Sequence, residues 1–155
     1  MKTLAGKRAP VFNLKGSDGK THALKDYAGR TVVLYFYPRD NTPGCTKEAC
    51  GFRDLKKEFA KRDAVVLGVS RDSLAAHDRF IKDFKLPFTL LSDPDLAVMK
   101  AYGAWGRKLM YGKPVEGTIR STVVIGPDGK VLKHWPKVAD AATHPAEVLD
   151  FLKDG

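Results

Sequence analysis

Thr31-Val32-Val33-Leu34-Tyr35-Phe36-Tyr37-Pro38-Arg39-Asp40-Asn41-Thr42-Pro43-Gly44-Cys45 is the stretch that decides the fold. After Thr31 it is continuously apolar, β-branched or aromatic up to Tyr37, the pattern of a strand covered on both faces of a sheet. Pro38 stops that strand. From Pro43 to about Lys61 the apolar residues Ala49, Phe52, Leu55 and Phe59 recur at steps of three and four, which predicts an α-helix with one buried face. Thr42 suits the cap of that helix. Pro43 suits its first position, where the missing N–H would have been unpaired in any case, and Cys45 falls in the first turn.

Working outward, Val11 to Leu14 and Thr21 to Leu24 flank Ser17-Asp18-Gly19-Lys20 and predict an N-terminal β-hairpin, with Lys25 to Arg30 as a connector. Downstream, Ala64 to Val69 reads as a second central strand and Ser73 to Phe84 as a helix. Phe88 to Leu91 is a short strand, and Asp93 or Asp95 opens a brief helix through Tyr102. Trp105 to Gly117, rich in glycine and carrying Pro114, reads as an irregular loop or insertion. Ile119 to Ile125 and Lys130 to Trp135 flank Pro127-Asp128-Gly129, a hairpin signal, and a final helix is expected from about Thr143 to Lys153. The order predicts one α/β domain over residues 1–155, a mixed central sheet flanked by helices with an N-terminal β-hairpin extension.

A chain of 155 residues with 43% hydrophobic content is long enough to bury a core without a disulfide, so its two cysteines are packing or chemistry. The N-terminal residues carry no apolar leader and the longest apolar run is too short to cross a bilayer, which predicts a cytoplasmic, non-membrane protein. The 27 Lys and Arg against 18 Asp and Glu give a formal charge of +9. Those basic residues are scattered, and the aromatics sit in apolar-periodic segments, so specific nucleic-acid binding is not expected.

An open α/β sheet leaves its crevice beyond the carboxyl ends of its strands, where Cys45 falls. In the first helical turn, unpaired backbone N–H groups and the helix dipole favour thiolate over thiol. By position alone Cys45 reads equally well as a nucleophile or as a small buried hydrophobe. Cys50 changes that balance. Five helical residues place its Cα about 8 to 9 Å from that of Cys45 and about 140° around the axis, whereas a disulfide needs less than about 7 Å. The two sulfurs can bond only if the helix unwinds, which suits a pair reacting in sequence better than a structural bridge or a zinc site. Gly44 and Gly51, each costing a helix about 1 kcal/mol relative to Ala, should ease that opening.

The segment from Tyr37 to Thr46 resembles the Pro-x-x-x-Thr-x-x-Cys signature of peroxiredoxins. Cys45 followed by Cys50, and the run Thr118-Ile119-Arg120-Ser121-Thr122, are similar to the peroxiredoxin Q subfamily, also called bacterioferritin comigratory protein. The resemblance spans essentially the whole chain. It implies a thioredoxin-like fold and a thiol-specific peroxidase acting on hydrogen peroxide and organic hydroperoxides. It implies Cys45 as the peroxidatic cysteine and Thr42 as a hydrogen-bonding partner of the sulfur and the peroxide. Pro38 would shield the pocket, Arg120 would be its fixed cation, Glu48 would orient that arginine, and Cys50 would resolve Cys45 within the chain. It implies no bound cofactor, only a hydroperoxide substrate and an external thioredoxin-like reductant, and the dispersed histidines form no metal-like pair. Donors already aimed at both peroxide oxygens, for which Thr42 and Arg120 are suitable, would stabilise negative charge as it passes from sulfur to the leaving oxygen.

Without the resemblance, Thr42 would be a helix cap and Arg120 a solvent-facing strand residue. Tyr35, Tyr37, Phe88 and Trp105 could wall a pocket or fill a core. The four histidines, His22, His77, His134 and His144, read as surface or packing residues. A general thiol–disulfide oxidoreductase would carry Cys-x-x-Cys at the helix start, which this chain lacks. A binding module rests on the charge alone. No large exposed apolar strip is evident, and an intramolecular resolving cysteine needs no second subunit, so a monomer is expected.

Overall fold

The computed structural model describes residues 3–154, so Met1, Lys2 and Gly155 of the expected 1–155 domain lie outside the described residues. The decisive stretch forms β3 (Thr31–Phe36), and its neighbours follow in chain order. Before it lie β1 (Asn13–Gly16), β2 (Thr21–Ala23) and a 3₁₀ turn, Leu24–Tyr27. After it come α1 (Pro43–Asp54), α2 (Lys56–Lys61), β4 (Ala64–Ser70), α3 (Leu74–Phe84), β5 (Thr89–Ser92) and α4 (Ala97–Ala101). The chain continues through β6 (Trp105–Met110), β7 (Lys113–Thr118), β8 (Ser121–Ile125), β9 (Val131–Trp135) and α5 (His144–Asp154).

Seven strands form one mixed sheet in the order β2-β1-β5-β4-β3-β8-β9. The strands β3, β4 and β5 run parallel, joined by helical crossovers, while β8 pairs antiparallel with β3, β9 antiparallel with β8, and β1 antiparallel with β5. Alternation along β3 divides its residues between two cores. Val32, Leu34 and Phe36 pack with Leu67, Val69, Val123, Met99 and Tyr102 on one face. Val33 and Tyr35, with Tyr37 just beyond, pack with Ala49, Phe52, Phe59, Phe80 and Val148 on the other. Burial on both faces is why this strand is apolar throughout. The architecture is the thioredoxin-like fold with an N-terminal hairpin that the resemblance implies.

Three expectations need correction. The helix from Pro43 does not run unbroken to Lys61. It breaks at Leu55 (φ −102°, ψ 10°), and the change of direction keeps Phe59 in the core, its ring centroid 5.7 Å from that of Phe52. Trp105 to Gly117 is not irregular. It belongs to a separate two-stranded antiparallel sheet, β6 with β7, in which Gly106 pairs with Gly117. Its turn places Tyr111 (φ 54°) and Gly112 (φ 79°) both in the left-handed region, as a tight hairpin turn requires. A tyrosine there gives no turn signal, and two of the segment's three glycines, Gly106 and Gly117, are ladder partners. Thirdly, β8 begins at Ser121, so Arg120 precedes the ladder; its carbonyl accepts from Val138 N–H at 2.7 Å.

Candidate active site

Cys45 is the third residue of α1, at the carboxyl end of β3, and only 1% exposed. Arg120, brought in from the residue just before β8, donates through Nη2 to Cys45 Sγ at 3.2 Å and through Nη1 to Glu48 Oε1 at 2.7 Å. One guanidinium fork therefore joins the thiol to a carboxylate one helical turn further on. Gly44 gives the fork its room, since a Cβ there would stand 3.1 Å from Nη2.

The electrostatics of this trio are set by burial. Glu48 is wholly buried and its Oε2 has no hydrogen-bond partner. Burial pushes its carboxyl up from 4.5 to about 7, against the opposing pull of Arg120. Burial also works against the charge on Arg120, but electrostatic attraction to Glu48 and Cys45 and the hydrogen bonds to both outweigh it and raise Arg120 further. Arg120 thus stays cationic beside the sulfur. Tyr35 sits well above its ordinary value because burial, then Glu48 and Cys45, oppose a phenolate there.

Thr42 is the residue before α1, with extended backbone, but its side chain does not cap the helix as expected. Its hydroxyl instead donates to the Arg39 carbonyl at 2.9 Å. With that proton committed, Thr42 Oγ1 has only lone pairs left to offer a further partner, so it is not free to be the donor expected. Thr42 and Pro38 line a cleft of about 600 Å³ together with Arg39, Trp105, Lys108 and Val115. Of the four aromatic residues considered as walls, Trp105 alone lines this cleft, with the Arg71 guanidinium 5.8 Å from its ring. Tyr35 and Tyr37 are fully buried, and Phe88 packs on Tyr35 and Phe52.

The structure thus brings Cys45, Arg120 and Glu48 into contact and sets Pro38 and Thr42 at the neighbouring cleft. It does not bring Cys50 to Cys45. Both are free, α1 is intact between them, and Cys50 is half-buried.

Sequence reasoning missed a polar network beside this site. His77 is completely buried, with Nδ1 2.6 Å from Asp40 Oδ2 and Nε2 3.0 Å from the Leu91 carbonyl. Asp72 joins it, and Asp40, Asp72 and His77 bring potential metal-ligating atoms within 4.8 Å of one another. These atoms are already engaged, since Asp72 Oδ2 accepts from Asp40 N–H and from the Ser70 hydroxyl. His144, also read as packing, lies 2.8 Å by Nε2 from the Thr122 hydroxyl. The one local signal was the place of Asp40 inside the Pro38 to Cys45 loop.

A buried thiol at a helix start, bonded to a fixed guanidinium on a thioredoxin-like sheet, defines a thiol-dependent peroxidase. The AhpC/TSA family profile matches residues 5–134, and the chain belongs to that family; its relatives place it in the peroxiredoxin Q or Bcp branch. Peroxiredoxin Bcp of Bacillus subtilis is 47% identical over 149 residues, covering 96% of this chain and 94% of its own. The structure of Xanthomonas campestris peroxiredoxin Q superposes with a TM-score of 0.86 at 44% identity, over 92% of this chain and 90% of that one. A Xanthomonas campestris bacterioferritin comigratory protein, solved as trapped intermediate and ligand complexes bearing on alkyl peroxide reduction, gives a TM-score of 0.86 at 43% identity over the same shares. No helix among the described residues is long and apolar enough to cross a membrane.

Proposed function

We propose that this chain, as one catalytic domain, reduces hydrogen peroxide and organic hydroperoxides at Cys45 and is resolved by Cys50. The observation that carries this reading is the Arg120 fork between Cys45 Sγ and Glu48. The Cys45 thiolate attacks the terminal peroxide oxygen, so the S–O bond forms as the O–O bond breaks. The leaving oxygen takes up a proton and departs as water or alcohol. Sulfur is oxidised by two electrons to the sulfenic acid, and the peroxide is reduced by two. Arg120 stabilises the anion first on sulfur and then on the leaving oxygen. Pro38 and Thr42 bound the approach, and Glu48 holds the guanidinium in place. The alkyl peroxide chemistry of the Xanthomonas relative and the size of the cleft, about 600 Å³, support organic substrates beside hydrogen peroxide.

Once the first turns of α1 open, the Cys50 thiolate attacks the sulfenic sulfur. An S–S bond forms, and hydroxide leaves and is protonated to water. A thioredoxin-like dithiol then exchanges with that disulfide and restores both thiols. Both cysteines lie on one chain, so the reading is of a monomer, working in the cytoplasm where such a reductant keeps thiols reduced.

Stopped-flow mixing with hydrogen peroxide tests the assignment. Rapid loss of one thiol should vanish in Cys45→Ser, while Cys50→Ser should keep the rapid phase and accumulate a sulfenic acid trapped by dimedone. Slow oxidation insensitive to Cys45→Ser would sink the reading. In the disulfide form, amide hydrogen exchange over 45–51 should exceed that of the reduced form.

A further inference from the structure

The peptide unit joining Arg39 to Asp40 is held from both ends. Its carbonyl accepts the Thr42 hydroxyl at 2.9 Å, and its N–H donates to Asp72 Oδ2 at 2.8 Å. A peptide group is planar, so fixing the N–H also fixes the direction of the carbonyl. Asp72 is itself held, its Oδ2 accepting from the Ser70 hydroxyl at 2.7 Å at the end of β4.

The Asp40 side chain is fixed as firmly. Its Oδ1 accepts from the Tyr37 hydroxyl, and its Oδ2 lies 2.6 Å from His77 Nδ1. His77 Nε2 faces the Leu91 carbonyl at 3.0 Å, and a carbonyl can only accept, so Nε2 carries a hydrogen. The ring is thereby oriented by β5, and Nδ1 is left to share a proton with Asp40. The mechanism described above uses none of these groups, yet they are among the most buried polar side chains of the molecule: the His77 side chain is 0% exposed and that of Asp40 5%.

We propose that Asp40, Asp72 and His77 are positioning residues, a cradle that aims the Thr42 oxygen as acceptor for the O–H of the incoming hydroperoxide. This rests on the reading that Thr42 belongs to the peroxide site. With its own proton given to Arg39, Thr42 Oγ1 can take the hydroperoxide proton in a hydrogen bond and set the reacting oxygen in line with Cys45 sulfur. In such alignment a misplacement of about 1 Å costs on the order of a hundredfold in rate.

The test is a double-mutant cycle on the full chain, reading the second-order rate of Cys45 oxidation by hydrogen peroxide and the thiolate absorbance at pH 7. His77→Leu and Asp72→Ala should each slow oxidation about tenfold or more, leave the absorbance unchanged because Arg120 is untouched, and add nothing in a Thr42→Val background. His77→Asn, whose amide can donate to Asp40 in place of Nδ1, should recover most of the rate. If His77→Leu does not fold, the Asp72→Ala cycle decides alone. Full rates in the folded variants, or the same slowing with and without Thr42, would overturn the cradle. A Thr42→Val variant that is itself as fast as wild type would instead overturn the placing of Thr42 in the peroxide site.

Discussion

Gly51 in α1 lies against Pro145 at the start of α5 so closely that a Cβ on Gly51 would stand 2.7 Å from Pro145 Cγ. A proline ring cannot swing aside as a long side chain can. This seam bounds the segment that must unwind for Cys50 to reach Cys45, because Phe52, next along, is fully buried and stacked on Tyr35 at 4.7 Å. Gly51→Ala therefore sets two effects against each other. Helix propensity favours alanine by about 1 kcal/mol, and overpacking costs about 1 to 3 kcal/mol. Overpacking should win, lowering the melting temperature of the reduced form. The unwound form is spared the clash, so Cys45–Cys50 disulfide formation after one equivalent of peroxide should be faster. A variant that melts higher than wild type would show that the seam yields.

Arg120 serves two partners through one planar fork, so charge alone should not replace it. Arg120→Ala should lower the second-order rate with hydrogen peroxide by about a hundredfold or more, the scale of losing one preorganised donor. Arg120→Lys keeps the charge but cannot hold Cys45 and Glu48 together, and should recover only part of the loss. Competition against a reference peroxidase measures both. Equal rates for lysine and arginine would mean that the fork is irrelevant.

Tyr35 Oη is buried and has no hydrogen-bond partner, while its ring stacks 4.7 Å from Phe52 and 5.5 Å from Tyr37. An unsatisfied buried hydroxyl costs about 1 to 3 kcal/mol. Tyr35→Phe keeps the stacking and removes the orphan, so urea unfolding should show a gain of about 1 kcal/mol. A loss of similar size would mean that the hydroxyl has a partner in solution.

The elements legible in the sequence are those whose cause is local. Val32 to Tyr37 is apolar because both faces of β3 are buried, and Pro43 marks the start of α1 because its missing N–H costs nothing at the first helical position. The site is legible only in part, because its decisive contacts are distant in sequence. Arg120 meets Cys45 across 75 positions and His77 meets Asp40 across 37, and no local pattern records either. The signature residues fixed the first pair through family resemblance. The second lies outside that signature on the His77 side, where a lone histidine reads as surface or packing. The β6–β7 hairpin is illegible for a different reason: its turn relies on Tyr111 in a left-handed conformation that tyrosine seldom adopts.

Glu48 gives the fold a pH dependence whose sign can be derived. Burial holds its carboxyl at about 7 in the folded protein, against 4.5 for the ordinary group. The folded state therefore binds this proton more tightly than the unfolded chain does. Its contribution to stability is full below about pH 4.5 and is lost as pH rises through about 7. At about 1.4 kcal/mol per pH unit the loss over that window is on the order of 3 kcal/mol. Glu48→Gln stays neutral throughout and can still accept from Arg120 through its amide oxygen. The unfolding free energy of wild type minus that of the variant, measured in urea under reducing conditions, should therefore fall by roughly that amount between pH 4.5 and pH 8. Parallel curves for the two proteins would mean that Glu48 is ionised across the whole range, with Arg120 fully compensating its burial.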